Sequence, residues 1–167
     1  MLRNPFLFIF VAMLLCAGSP AWAGKSKACL YKNSSVDLDK LKKSPQVLGL
    51  EPIEKGVRYS GNLRGIGGFY LELFSCTNYG ARFTVLLGPD DDIASLDATL
   101  KLLPDLLFSQ ADALKVRGEL QGVQLAGDSP PVFLDDLAKD LGLTQAFVQL
   151  VEAEGMGLLV FQYYGGL

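Results

Sequence analysis

The sequence predicts a single α+β domain, mainly an antiparallel sheet of hairpins with two to four short helices packed on it. Three stretches predict it. Residues 67–88, GGFYLELFSCTNYGARFTVLLG, read as two apolar arms about a Thr77-Asn78-Tyr79-Gly80 turn. Phe69, Leu71 and Leu73 alternate on one arm, and Phe83, Val85 and Leu87 on the other. Ile93, Leu96, Leu100 and Leu103 then recur at helical spacing. Finally, AFVQLVEAEGMGLLVFQYYGGL admits either a helix capped by Thr144 and ending at Gly155 or a second hairpin turning at Glu154-Gly155, and the hairpin is favoured, with 156–164 a strand under either. Val148 and Val151 are β-branched, and Glu152 and Glu154 would oppose the dipole at the end of a helix.

The chain opens with MLRNPFLFIFVAMLLCAGSPAWA. Arg3 gives a positive start, residues 5–15 an apolar run, and Ala21-Trp22-Ala23 a small-residue cleavage site, so residues 1–23 read as a signal peptide cleaved before Gly24. Leu15 is too large to precede Cys16 in a lipid-attachment box. The apolar run is short for a bilayer span and no longer one follows. Residues 24–167 are therefore expected as one exported domain that does not span the membrane, periplasmic or alternatively extracellular. Two cysteines remain there, Cys29 and Cys76, and an even count in an oxidising compartment predicts one disulfide. It would close a loop of 46 residues. Chain entropy puts its stabilisation at roughly 4 kcal/mol.

The remaining elements follow in order. Ala28 to Lys32 is a short strand holding Cys29. Asn33-Ser34-Ser35 offers an N-cap for a short helix over VDLDKLKKS, stopped by Pro45. Gln46 to Pro52 is extended or irregular, and Gly56 to Ser60 is a strand with Val57 and Tyr59 on one face and Arg58 on the other. GNLRGIGG, 61–68, is a loop or a bulged strand start. After the central hairpin a helix spans roughly 92–103, and Pro104 begins a second short turn. Leu114 to Leu125, LKVRGELQGVQL, reads as strand-like, Asp128 to Pro131 as a loop, and Val132 to Leu141 as a helix that Gly142 ends. The strand pairs 68–74/81–88 and 146–152/157–165, preceded by GVRYSG and GVQLAG, echo one another weakly, as a duplication or as similar strand chemistry.

Charge is divided unevenly. Residues 24–82 carry 10 Lys/Arg against 5 Asp/Glu, and residues 83–167 carry 4 against 13. Such asymmetry favours a polar partner surface, or halves that neutralise each other on folding. There is no histidine, which removes Ser-His-Asp and Cys-His catalysis. No phosphate-loop or dinucleotide fingerprint is present, and no cofactor is expected. Asp90, Asp91 and Asp92 are a weak metal alternative to a helix N-terminus, lacking the spacing of a calcium loop. Glu72, among Phe69, Tyr70, Leu71, Leu73 and Phe74, is a possible acid, with cross-strand pairing to Arg58 or Arg82 as the plainer role.

LAKDLGLTQAFVQLVEAEG, 137–155, resembles the helix-turn-helix signature of DNA-binding repressors, with Ala138, Gly142 and Val148 at the small, turn and buried positions. Its second half has no Lys or Arg and carries Glu152 and Glu154, which phosphates would repel, so no nucleic-acid partner is expected. These features together favour an exported, non-catalytic binding protein that recognises or inhibits another protein, of the enzyme-inhibitor or toxin-immunity type. The alternatives are a small carboxylate-based hydrolase acting on cell-wall polymer, or an envelope assembly subunit that adds its C-terminal strand to a neighbour. The candidate binding residues are Arg58, Arg64, Gly65 and Gly67, around a glycine-rich stretch expected to meet a partner with an acidic surface, such as an enzyme or toxin. The oligomeric state is left open.

Overall fold

The computed structural model describes residues 36–54, 56–74, 78–88, 93–127, 130–153 and 155–166. The expected signal peptide, the strand at 28–32, Cys29, Cys76 and Asp90 to Asp92 lie outside the described residues. The described chain is a single α+β domain built on one seven-stranded antiparallel sheet with four helices. In chain order the elements are α1 (Leu38–Lys43), β1 (Val47–Glu54), β2 (Arg58–Leu63), β3 (Gly67–Phe74), β4 (Asn78–Leu86), α2 (Ile93–Leu107), α3 (Gln110–Leu120), β5 (Val132–Phe133), α4 (Asp135–Asp140), β6 (Gln145–Ala153) and β7 (Met156–Gly166). The spatial order is β1-β2-β3-β4-β7-β6-β5. Two meanders therefore meet at β4 and β7, and the helical connection between β4 and β5 carries the chain to the far edge.

The two predicted hairpins form the centre of this sheet. Leu71 opposes Phe83, Phe83 opposes Phe161, and Phe161 opposes Val148. The alternation seen in the sequence puts Phe69, Leu71, Leu73, Phe83, Val85, Leu159, Phe161 and Tyr163 on one buried face. Phe69 stacks on Phe83 with centroids 4.8 Å apart. Gly155, at φ 77°, turns the second hairpin as expected.

The helices add their apolar sides to that same face. Leu41 of α1, Leu100, Leu103, Leu106 and Leu107 of α2, Ala113, Val116 and Leu120 of α3, and Leu137 and Ala138 of α4 belong to one core. Phe108, between α2 and α3, sets its ring 4.7 Å from that of Tyr163. Full burial of a Leu or Phe side chain contributes about 1.5–3 kcal/mol, so this layer is a main source of stability.

Several sequence expectations are corrected. The segment 114–125 is not strand-like: Gln110–Leu120 is α3, because Ala113, Val116 and Leu120 share one helical side and Ser109 caps the helix. Pro104 lies inside α2 and starts no separate turn. Of the alternatives left open, 47–54 is extended, as an edge strand, and 61–63 and 67–68 belong to β2 and β3 with only 64–66 as the turn between them. β1 accommodates Pro52 because an edge strand has an unpaired side. Asp37, not Asn33 to Ser35, caps α1, accepting from the Lys40 amide at 3.0 Å. Asn78 to Gly80 begin β4 instead of forming the turn.

The expected helix at 132–141 divides. Val132–Phe133 pairs with β6, and only Asp135–Asp140 is helical, with Gly142 in the left-handed conformation just beyond. The second half of the helix-turn-helix resemblance is β6, so no second helix exists there. In the internal echo, the two hairpins do correspond, but residues 122–127 form no strand to match β2.

Candidate functional site

Sheet parity puts the charged side chains of β2, β3 and β4 on the face opposite the core, together with several apolar ones. With all four helices on the buried face, the opposite face carries no helix among the described residues. One row crosses it from edge to edge: Glu54, Arg58, Glu72, Arg82, Gln162, Phe147 and Phe133, each opposite the next. The four charged members alternate in sign and are linked. Arg58 lies 3.7 Å from Glu54 and donates through Nε and Nη2 to Glu72 Oε1 at 3.3 and 3.2 Å. Arg82 Nη1 reaches Glu72 Oε2 at 3.5 Å, and its Nε donates to Gln162 Oε1 at 2.7 Å.

Glu72 therefore takes the role expected of a cross-strand partner. Both of its oxygens accept from guanidinium groups. The sequence could place Arg58 and Arg82 as possible partners but not show that both are used at once.

Beside this row runs Ser60, Tyr70, Thr84 and Val160, and beside that Asn62, Gly68, Leu86 and Leu158. Tyr70 stands proud of its neighbours at 51% exposed, with Ile53 at 58%, Leu48 at 44% and Phe133 at 50% along the edges. Two shallow clefts flank Tyr70. One, of about 320 Å³, is lined by Ile53, Arg58, Glu72, Arg82 and Thr84. The other, of about 370 Å³, is lined by Leu48, Glu51, Ser60, Asn62 and Leu86. Large apolar and aromatic groups are thus exposed around the charge ladder.

The four candidate residues do not form one site. Arg58 begins β2 and Arg64 follows its end, about 20 Å away at about 3.3 Å per residue. Only Arg58 belongs to the ladder. Arg64 Nε donates to the Pro45 carbonyl at 3.1 Å and holds the start of β1 against the β2–β3 turn. Gly65 occupies that turn at φ 72°. Gly67 is within β3, where a Cβ would come 2.2 Å from the Leu86 carbonyl oxygen.

A larger recess of about 620 Å³ lies between α2 and α3, beside Asp97, Lys101 and Arg117. Its charges are matched locally: Lys101 pairs with Asp97, and Arg117 Nη2 reaches both oxygens of Asp105 at 2.7 Å. Among the described residues no group of three or more His, Cys, Asp or Glu is placed to hold a metal ion. No helix among them is long and apolar enough to cross a membrane. β7 is hydrogen-bonded on both sides, to β4 and to β6. No known protein family, curated protein or solved structure matches this chain.

Proposed function

We propose that the chain is an exported, non-catalytic binding protein that engages another protein through the open face of its sheet. The observation that carries this reading is the row from Glu54 to Phe133, which no described helix covers, with Tyr70 raised beside it. A water-facing sheet is normally polar on that side, whereas this one keeps Leu86, Leu158, Val160, Phe147 and Phe133 there. Export is supported by the leader, and the periplasm is the compartment in which Cys29 and Cys76 would pair.

The alternating ladder favours a partner whose charges also alternate over a uniformly acidic one, because each guanidinium of the row is already beside a carboxylate. The hydrolase alternative finds less support, since Glu72 spends both oxygens on arginines. The strand-donating subunit finds less as well, since β7 is an interior strand, paired on both sides by β4 and β6.

Photo-cross-linking in the producing cell tests the reading. A benzophenone side chain at position 70 is expected to give a discrete protein adduct, and one at Leu114, exposed on α3, none. A folded, exported chain that gives no adduct from position 70 overturns it.

A further inference from the structure

The open face is complementary to itself. Its two adjacent central columns are Gly68, Tyr70 and Glu72 on β3, and Leu86, Thr84 and Arg82 on β4. They lie level with one another: Tyr70 opposes Thr84, Glu72 opposes Arg82, and Leu86 Cδ1 lies 3.0 Å from the place of a Gly68 Cβ. At each level one column has what the other lacks. A missing side chain is level with a large one, a raised ring with a small hydroxyl residue, and a carboxylate with a guanidinium.

We propose that a second copy of this chain closes the open face, sheet against sheet, about a two-fold axis running along the strands between β3 and β4. This rests on the reading of that face as a docking surface and names its occupant. The axis carries β3 of one copy over β4 of the other at the same level. Glu72 then faces Arg82 of the second copy, Tyr70 drops onto its Thr84, and its Leu86 meets the Leu86 side chain that leans over Gly68. Each contact occurs twice, as an isologous interface requires. Farther out, Leu48 comes over Val151 and Arg58 over Gln162, from their levels in the sheet. Sheets packed this way align within about 30° and stand about 10 Å apart, a gap that a glutamate and an arginine span together.

The area is of the right order. With the axis between β3 and β4, six strands of each copy overlap and β5 lies outside; at about 4.8 Å per strand and six residues at about 3.3 Å they give a plane of roughly 570 Å² before side-chain relief, somewhat under the ~800 Å² each partner buries in a standard interface. The ladder is charge-balanced, with Glu54 and Glu72 against Arg58 and Arg82, so two copies can meet without net repulsion there.

Sedimentation of the purified chain tests this through complementation. The wild type is expected to be dimeric at tens of micromolar. Glu72→Arg and Arg82→Glu should each weaken the dimer by about a hundredfold, because symmetry makes one reversal act twice. Mixing the two single variants should restore association as a heterodimer, since Arg at 72 of one copy meets Glu at 82 of the other and the native pair survives on the other side of the axis. A role confined to the ladder within one chain would gain nothing from mixing. Should either reversal fail to fold, Thr84→Trp leaves the ladder intact, fills the seat of Tyr70, and should still give monomer. A wild type that stays monomeric at hundreds of micromolar overturns the proposal. So does a dimer indifferent to Thr84→Trp, a mixture of folded variants that remains monomeric, or a position-70 cross-link made only within one chain. A monomeric chain whose position-70 probe captures a different protein overturns the second copy and leaves the docking reading standing. Loss of every position-70 adduct overturns both.

Discussion

Gly67 meets the Leu86 carbonyl oxygen so closely that a Cβ on Gly67 would stand 2.2 Å from it. The sequence suggests that this glycine leaves a recognition loop open to a partner, but the structure puts it where β3 approaches β4. Gly67→Ala must push backbone against backbone, and is expected to cost about 2 kcal/mol or more. Gly65, two positions earlier, has open space around its Cβ position but a φ of 72°. Gly65→Ala should cost about 1 kcal/mol through that conformation alone. Chemical denaturation of both variants checks the order, and an equal or smaller loss at Gly67 would mean that the strands can separate at no cost.

Ser109 starts α3. Its Oγ accepts from the Asp112 amide at 3.3 Å and donates to Asp112 Oδ2 at 2.7 Å. Ser109→Ala should lower stability by about 1 kcal/mol, and Ser109→Asp should retain most of it. Hydrogen exchange should also quicken first in residues 110–113. Unchanged exchange in that turn would show that the cap is not used in solution.

The same helix shows where reading the sequence fails. LKVRGELQGVQL alternates well enough to suggest a strand, but Ala113, Val116 and Leu120 face the core together. The Ser109–Asp112 cap was the available signal for the helix. β1 reads as extended or irregular for the opposite reason. Gly49 and Pro52 interrupt any alternation, and its register with β2 shifts twice, which only an edge strand tolerates. The first hairpin was legible from the alternation of its arms, although the sequence puts its turn too late in the chain, and the second from its β-branched residues and the Gly155 turn. The candidate site was legible in part. Parity placed Arg58 outward, and the apolar company of Glu72 drew attention to it, but whether a helix covers that face depends on where the helices pack. That is a long-range property that no local pattern carries.

Cys29 and Cys76 give a prediction independent of the described residues. The purified chain should carry no free thiol at either position, and reduction should lower its stability by roughly 4 kcal/mol, less any native strain. Thiol labelling of denatured, unreduced protein measures the first, and urea melts with and without reductant the second. Labelling at both positions would remove the crosslink and weaken the argument for an oxidising compartment.

Arg58 and Arg64 should respond differently to charge reversal, because only one is part of the ladder. Arg58 lies between Glu54 and Glu72, and Arg58→Glu would set three carboxylates in succession across β1, β2 and β3. All three positions touch solvent, with side chains 55, 59 and 29% exposed for Arg58, Glu54 and Glu72, so the penalty is expected at only about 1 kcal/mol. It should also be salt-dependent. Added salt screens the new repulsion and weakens the native attraction, so the gap between variant and wild type should close between low and high ionic strength. Arg64 donates to the Pro45 carbonyl and pairs with no carboxylate among the described residues. Arg64→Glu therefore loses one exposed hydrogen bond, and its melting point should fall by a smaller step with little salt dependence. Thermal melts of both variants at two salt concentrations decide the matter. A salt-sensitive loss at Arg64 equal to that at Arg58 would mean that Arg64 also balances acidic charge, and the ladder would then extend beyond the open face.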